Sequence, residues 1–294
     1  EFIIENILSS NVYYDIRVKK GDDVILYVEE VPGEGPKIYI SSYVRDKYEY
    51  IIIGIFILLL IAVGRKKGMK SIITLAITIL IIIKFMLPLI LSGHSPIIIS
   101  IVSSIVITMI TLFIVSGFNK KSYATILGTA IGVILAGTIA YAIGILAKLT
   151  GLNSHEANML LYIPQNIQFD FKGLLFAGII IGTLGAVMDV SMSVASSMNE
   201  IKCHNPLISR KELIKSGLNI GRDVMGTMTN TLILAYTGTS IPLLLIFMAY
   251  KTPIVDILNL DIIATEIIRA VTGSIGIVLS IPFTAFIAGY LEKK

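Results

Sequence analysis

The chain holds a single cysteine, Cys203, among 294 residues. One thiol excludes an internal disulfide and any cysteine zinc cluster. Histidine is almost as scarce. His94, His155 and His204 fall in loops expected on different sides of a membrane, and no His-Glu-x-x-His occurs, so no metal site is expected. No Gly-x-x-x-x-Gly-Lys-Ser/Thr phosphate loop is present, which argues against an ATP motor within this chain. Asp189 stands in Ala186-Val187-Met188-Asp189, without the Gly-x-Gly-Asp context of intramembrane aspartyl proteases. No enzyme and no cofactor is therefore expected. The chain starts at Glu1, not Met, which reads as a processed or truncated end.

Charged residues make up only 15% of the chain, hydrophobic ones 55%, and the mean hydropathy is +0.85. Apolar runs near 20 residues recur, which a soluble domain would not carry. The expected fold is an all-α polytopic membrane bundle of about seven spans with a small extracytoplasmic β-domain at its N-terminus. The spans are placed at about 49–64, 69–91, 97–116, 123–148, 171–195, 224–249 and 262–290. The domains are 1–47 and 48–294.

Charge is uneven. Residues 1–49 hold 10 acids and 6 basic residues, leaving 10 acids and 18 basic residues for the rest. The net charge of +4 is not a nucleic-acid signal, because the basic residues sit in alternate short loops. Arg65, Lys66, Lys67 and Lys70 follow the first span, Lys120 and Lys121 the third, Lys202, Arg210, Lys211 and Lys215 the fifth, and Lys293 and Lys294 the seventh. The positive-inside rule puts these loops and the C-terminus in the cytoplasm of a cell-membrane protein, with the N-terminal domain outside.

Residues 1–47 alternate like strands: Val12, Tyr14, Ile16 and Val18, then Val24, Leu26 and Val28, then Ile38 and Ile40. Lys20-Gly21-Asp22-Asp23 and Pro32-Gly33-Glu34-Gly35-Pro36 are turn chemistry. Three or four strands make a thin core, so this domain is expected to lean on the membrane part or on a partner. Residues 153–165 predict an outer interfacial helix. Residues 207–221, with Ser209 followed by Glu212, predict an amphipathic helix on the cytoplasmic surface.

The candidate site is a polar stripe in the fifth span. Gly178, Gly182, Gly185, Asp189, Ser193, Ser196 and Glu200 recur at steps of three or four and share one face, opposite Ile179, Ile180, Val187 and Val190. A carboxylate at the bilayer centre costs roughly 2.5–3.5 kcal/mol on insertion scales. The glycines alone are explained by helix packing, and Asp189 also fits a buried structural ion pair. In the sixth span Asp223, Thr227, Asn230 and Leu234 share a face with Gly226 beside it. Arg222 and Asp223 also read as interfacial anchors, expected near Asn199 and Glu200. In the seventh, Glu266, Arg269, Gly273, Gly276 and Ser280 share a face, with Glu266 and Arg269 spaced to pair. Lys84 in the second span either reaches the depth of Glu266 or snorkels outward. These residues predict an outer polar layer (Lys84, Glu266, Arg269) and an inner one (Asp189, Asn230, Asp223, Arg222, Glu200). Glycine-rich faces joining such layers are what a proton or monovalent-cation path needs.

Gly185-Ala-Val-Met-Asp189-Val-Ser-Met-Ser193-Val-Ala-Ser196-Ser-Met-Asn199-Glu200-Ile resembles the hallmark of the YibE/YibF-like membrane proteins, as does Gly221-Arg-Asp-Val-Met-Gly-Thr-Met-Thr-Asn230-Thr-Leu-Ile-Leu-Ala-Tyr. The resemblance implies many spans and an extracytoplasmic β-domain, and no activity. The same region is more loosely similar in motif order to the proton-relay halves of RND-type permeases and SecD/SecF, where an aspartate at the place of Asp189 exchanges protons. Two functions follow as expectations: a cation- or proton-coupled permease using a buried Asp189, or a non-catalytic assembly factor whose outer domain holds a partner. A related membrane subunit or a homo-oligomer is the expected company in the bilayer.

Overall fold

A computed structural model describes residues 4, 6, 15–30, 35–163 and 169–292. The chain divides into two units, Glu1–Met69 and Lys70–Lys294.

The first unit holds two antiparallel strands, β1 (Val24–Glu29) and β2 (Lys37–Tyr43), paired from Val24 with Tyr43 to Glu29 with Lys37, with a bulge between Ile25 and Leu26. The expected third strand is not formed among the described residues. Val12 and Tyr14 lie outside them, and Ile16 and Val18 carry no ladder. Side chains meet two of the backbone carbonyls there. Asn6 Nδ2 donates to the Ile16 carbonyl at 2.7 Å, and the Tyr43 hydroxyl to the Arg17 carbonyl at 2.6 Å. Lys47, in the first turn of helix α1 (Asp46–Ile81), pairs with Asp23.

α1 opens on the apolar run from Ile51 to Gly64. Arg65 breaks it with a left-handed backbone (φ 47°, ψ −126°), a conformation a side chain adopts only at a cost. The chain folds back tightly there. A Cβ on Gly68 would run into the Leu60 carbonyl, so only glycine fits. The expected spans 49–64 and 69–91 thus fall within the one apolar stretch Asp46–Leu91.

In the second unit, α1 runs into a π-turn, Ile82–Met86, and then α2 (Leu87–Leu91). Pro88 explains the wide turn. It has no N–H for the Lys84 carbonyl four residues back, and its ring crowds that carbonyl. Then follow α3 (Pro96–Ser116), α4 (Lys120–Leu146), the short α5 (His155–Met159) with a 3₁₀ turn to Tyr162, α6 (Phe171–His204), α7 (Arg210–Thr239), α8 (Ile241–Ala249), α9 (Ile254–Leu258) and α10 (Asp261–Leu291).

Among the described residues five helices are long and apolar enough to span a bilayer, or six if the pair α7 and α8, bent by 60°, counts as one. Two expectations change here. The amphipathic segment 207–221 is not a separate surface helix. Its Ser209–Glu212 capping box starts α7, which runs unbroken to Thr239. The expected span 224–249 is bent between Thr239 and Ile241, where Pro242 takes a first-turn position of a new helix.

The bundle is built around α10, which packs against α4, α6 and α7, with α4 also against α6. Glycines on α4 and α10 set the spacing. A Cβ on Gly132 would meet the Gly276 carbonyl at 3.0 Å, and one on Gly276 would meet the Ala136 Cβ at 2.8 Å. Between these helices Ile180, Val187 and Val190 of α6 and Ile277 of α10 are fully buried. Lipid is as apolar as these side chains, so close packing rather than hydrophobic transfer holds the core together.

Candidate functional site

α6 presents its aliphatic side to that core, and the polar stripe points the other way. Gly178, Gly182, Gly185, Asp189 and Glu200 are exposed on the chain's surface, and Ser193 and Ser196 are half-buried. Asp189 is therefore not buried within the chain. Gly178 and Gly185 do not seat a neighbouring helix either, since a Cβ at each would meet nothing within 4 Å. Bulky Ile179, Ile180, Val187 and Val190 interdigitate with α4 and α10, whose own glycines supply the close approach. That face of α6 is open at Gly178 and Gly185, whereas Tyr236 of α7 covers Gly182.

Phe171 to Asp189 spans about 27 Å of helix, so the carboxyl lies within the reach of a hydrocarbon layer about 30 Å thick. Asp189 makes no hydrogen bond or ion pair among the described residues, and neither do Asp223 and Asn230. Glu200, about three turns further, stands with Lys202 and His204 in the terminal turns of the helix. Asn199 donates to Cys203 Sγ at 3.9 Å, and Ser196 to Met192 Sδ at 3.7 Å.

α7 crosses beside α6 in the opposite direction. Gly217 lies against Met198, and the Tyr236 hydroxyl lies 2.6 Å from where a Gly182 Cβ would sit. That register puts Thr227 and Met228 level with Asp189, and Asn230 within one turn of it. Arg222 and Asp223 fall level with Ser193 and Val194, not with Asn199 and Glu200 as expected. Arg222 donates instead to Asn219 of its own helix at 3.1 Å. Arg222, Asp223, Gly226, Thr227 and Asn230 are all exposed, and a Cβ on Gly226 would also meet nothing.

On α10 Arg269 Nη1 donates to Glu266 Oε1 at 2.8 Å, and both side chains are about a quarter exposed. Glu266 Oε2 and Arg269 Nε are buried without a partner among the described residues. The pair borders a cavity of about 630 Å³ walled by Asn153, His155, Glu156 and Phe171. Arg269 also lies over the Tyr236 ring, 5.6 Å from its centroid. Tyr236 thus lies between the Glu266–Arg269 pair and the glycine stripe. It went unpredicted, although it ends the Gly221-Arg-Asp motif. Gly273 and Gly276 do pack helices, against Thr183, Leu232 and Ala136. Lys84 is not brought to this layer. It sits exposed on the π-turn, beside α3, without a partner among the described residues.

A second cavity of about 280 Å³ flanks the stripe at Gly185 and Met188, with Thr74 and Thr78 of α1 and Thr111 of α3 on its wall. Glu156, in the first turn of α5, has its carboxylate held below the usual glutamate range by its own backbone amide and by the Ser154 hydroxyl.

Several apolar helices of spanning length, packed along glycine seams, define a multi-pass α-helical membrane protein. The chain belongs to the YibE/F-like protein family, whose match covers residues 52–294. No curated protein and no solved structure matches it.

Proposed function

We propose that this protein is a permease of the cell membrane that moves protons, or couples a monovalent cation to a solute, along the α6–α7 face. The observation that carries the reading is the Asp189 carboxyl: unpartnered, at membrane depth, on a face floored by glycine. Such a group is costly in lipid and is kept where an ion pathway uses it. The order of groups supports a route. The 630 Å³ cavity leads to Glu266 and Arg269, Tyr236 bridges to Gly182, and Asp189 follows with Thr227, Asn230 and Asp223 at nearby levels. No enzymatic step and no cofactor is assigned.

In this reading the two arms of α1, either side of Arg65, each cross the membrane, so that seven spans place the β-hairpin outside and the C-terminus in the cytoplasm. The alternation of basic loops supports that orientation. The test is proton flux in liposomes holding the purified chain, read with an entrapped pH dye. Asp189→Asn is expected to slow flux about tenfold or more, a barrier change near 1.4 kcal/mol, while Lys84→Met leaves it unchanged. Full flux in Asp189→Asn refutes the proposal.

One observation favours a second role, holding a partner. Ile25, Leu26, Tyr27 and Val28 of β1 are all more than 40% exposed, so both faces of the hairpin offer apolar surface. Capture of a membrane or envelope protein that is lost on deleting residues 1–47 would establish it.

A further inference from the structure

We propose that the outward face of α6 and α7 is the interface of a homodimer in the bilayer. Three of its polar side chains, Asp189, Asp223 and Asn230, have no partner among the described residues, and all are exposed. Hydrocarbon offers them nothing. The apolar segment from Ile51 to Gly64 offers nothing either, because it contains no side-chain donor or acceptor. The occupant must supply donors where α6 has acceptors, and acceptors where α6 has hydroxyls.

The α7 helix of a second copy does both. A two-fold axis along the membrane normal keeps every residue at its own depth. It can therefore bring the other copy's α7 beside α6 in the same antiparallel register as the chain's own. Asp189 then meets the other copy's Asn230 amide, and the Ser193 hydroxyl meets the other copy's Asp223. Gly178 and Gly185, where an added Cβ would meet nothing within 4 Å in one chain, let the second backbone approach. The contact is made twice, once from each α6. It also takes Asp189 out of lipid, which the single chain does not do.

The inference does not rest on transport, and its test reads mass and proximity rather than flux. The full chain is placed in lipid nanodiscs and its mass measured. In a Cys203→Ser background, two differently tagged chains, one with Gly185→Cys and one with Thr231→Cys, are co-expressed and oxidised in native membranes. A dimer and a disulfide between the two tags are expected. Gly185→Leu should weaken the dimer about tenfold or more. The open space around Gly185 lets the single chain keep its helicity, which circular dichroism checks, and Gly178→Leu serves as the second variant. A wild-type chain that stays monomeric, or a dimer indifferent to both leucines and without the cross-tag disulfide, overturns the proposal. A monomer would pass this face to a different membrane subunit.

Discussion

Two mid-helix glycines, each followed by two β-branched residues, are expected to answer oppositely to the same substitution. Gly276→Ala puts a methyl group 2.8 Å from the Ala136 Cβ and 3.1 Å from the Gly132 carbonyl. Ordinary contact begins near 3.4 Å, so α4 and α10 must part by about half an ångström along their tightest seam. Neither neighbour is the end of a flexible side chain, so relief has to come from the backbone. Overpacking of this kind costs about 1–3 kcal/mol, and the better helix propensity of alanine returns at most about 1 kcal/mol. Gly178→Ala meets nothing within 4 Å and keeps only the propensity gain. In monomeric detergent-solubilised protein unfolded by SDS titration, with helicity as the readout, Gly276→Ala should lose about 1–2 kcal/mol net. Gly178→Ala should be neutral or up to about 1 kcal/mol more stable. Equal destabilisation by the two variants would mean that the polar face of α6 is packed inside the chain, and would refute the site geometry.

Glu212→Ala removes half of the Ser209–Glu212 capping box and frays the start of α7. The same titration should show a loss of about 1 kcal/mol. Glu156 has a lowered folded-state pKa, so its contribution is present above the unfolded value, near 4.5, and is lost as pH falls through the folded value. Hydrogen-exchange protection of α5 should hold between pH 7 and pH 5 and decline only as pH falls below the unfolded value, and Glu156→Gln should abolish that dependence.

Much of the helical layout was legible because apolar run length is a one-dimensional property. The runs near 97–116, 123–148, 171–195 and 262–290 became α3, α4, α6 and α10 with ends displaced by a few residues, most at the polar tail of α6. Cap chemistry was legible too: Ser154 accepts from the Ala157 amide, and Ser209 and Glu212 close a full box. The Arg65 break and the bend before α8 were less so. The first depends on one residue's dihedral angles, and the second on Pro242 inside an otherwise continuous apolar run.

What the sequence alone determined is which residues share a face: the 3.6-residue period groups Gly178, Gly182, Gly185 and Asp189 whatever surrounds them. Only the tertiary structure decided which way that face looks. In water the apolar side of a helix must turn inward, so composition predicts direction. In a bilayer the medium is as apolar as leucine, and the direction falls to shape. Here the seam of Gly132 and Gly276 receives the bulky side of α6 and leaves Asp189 on the outside.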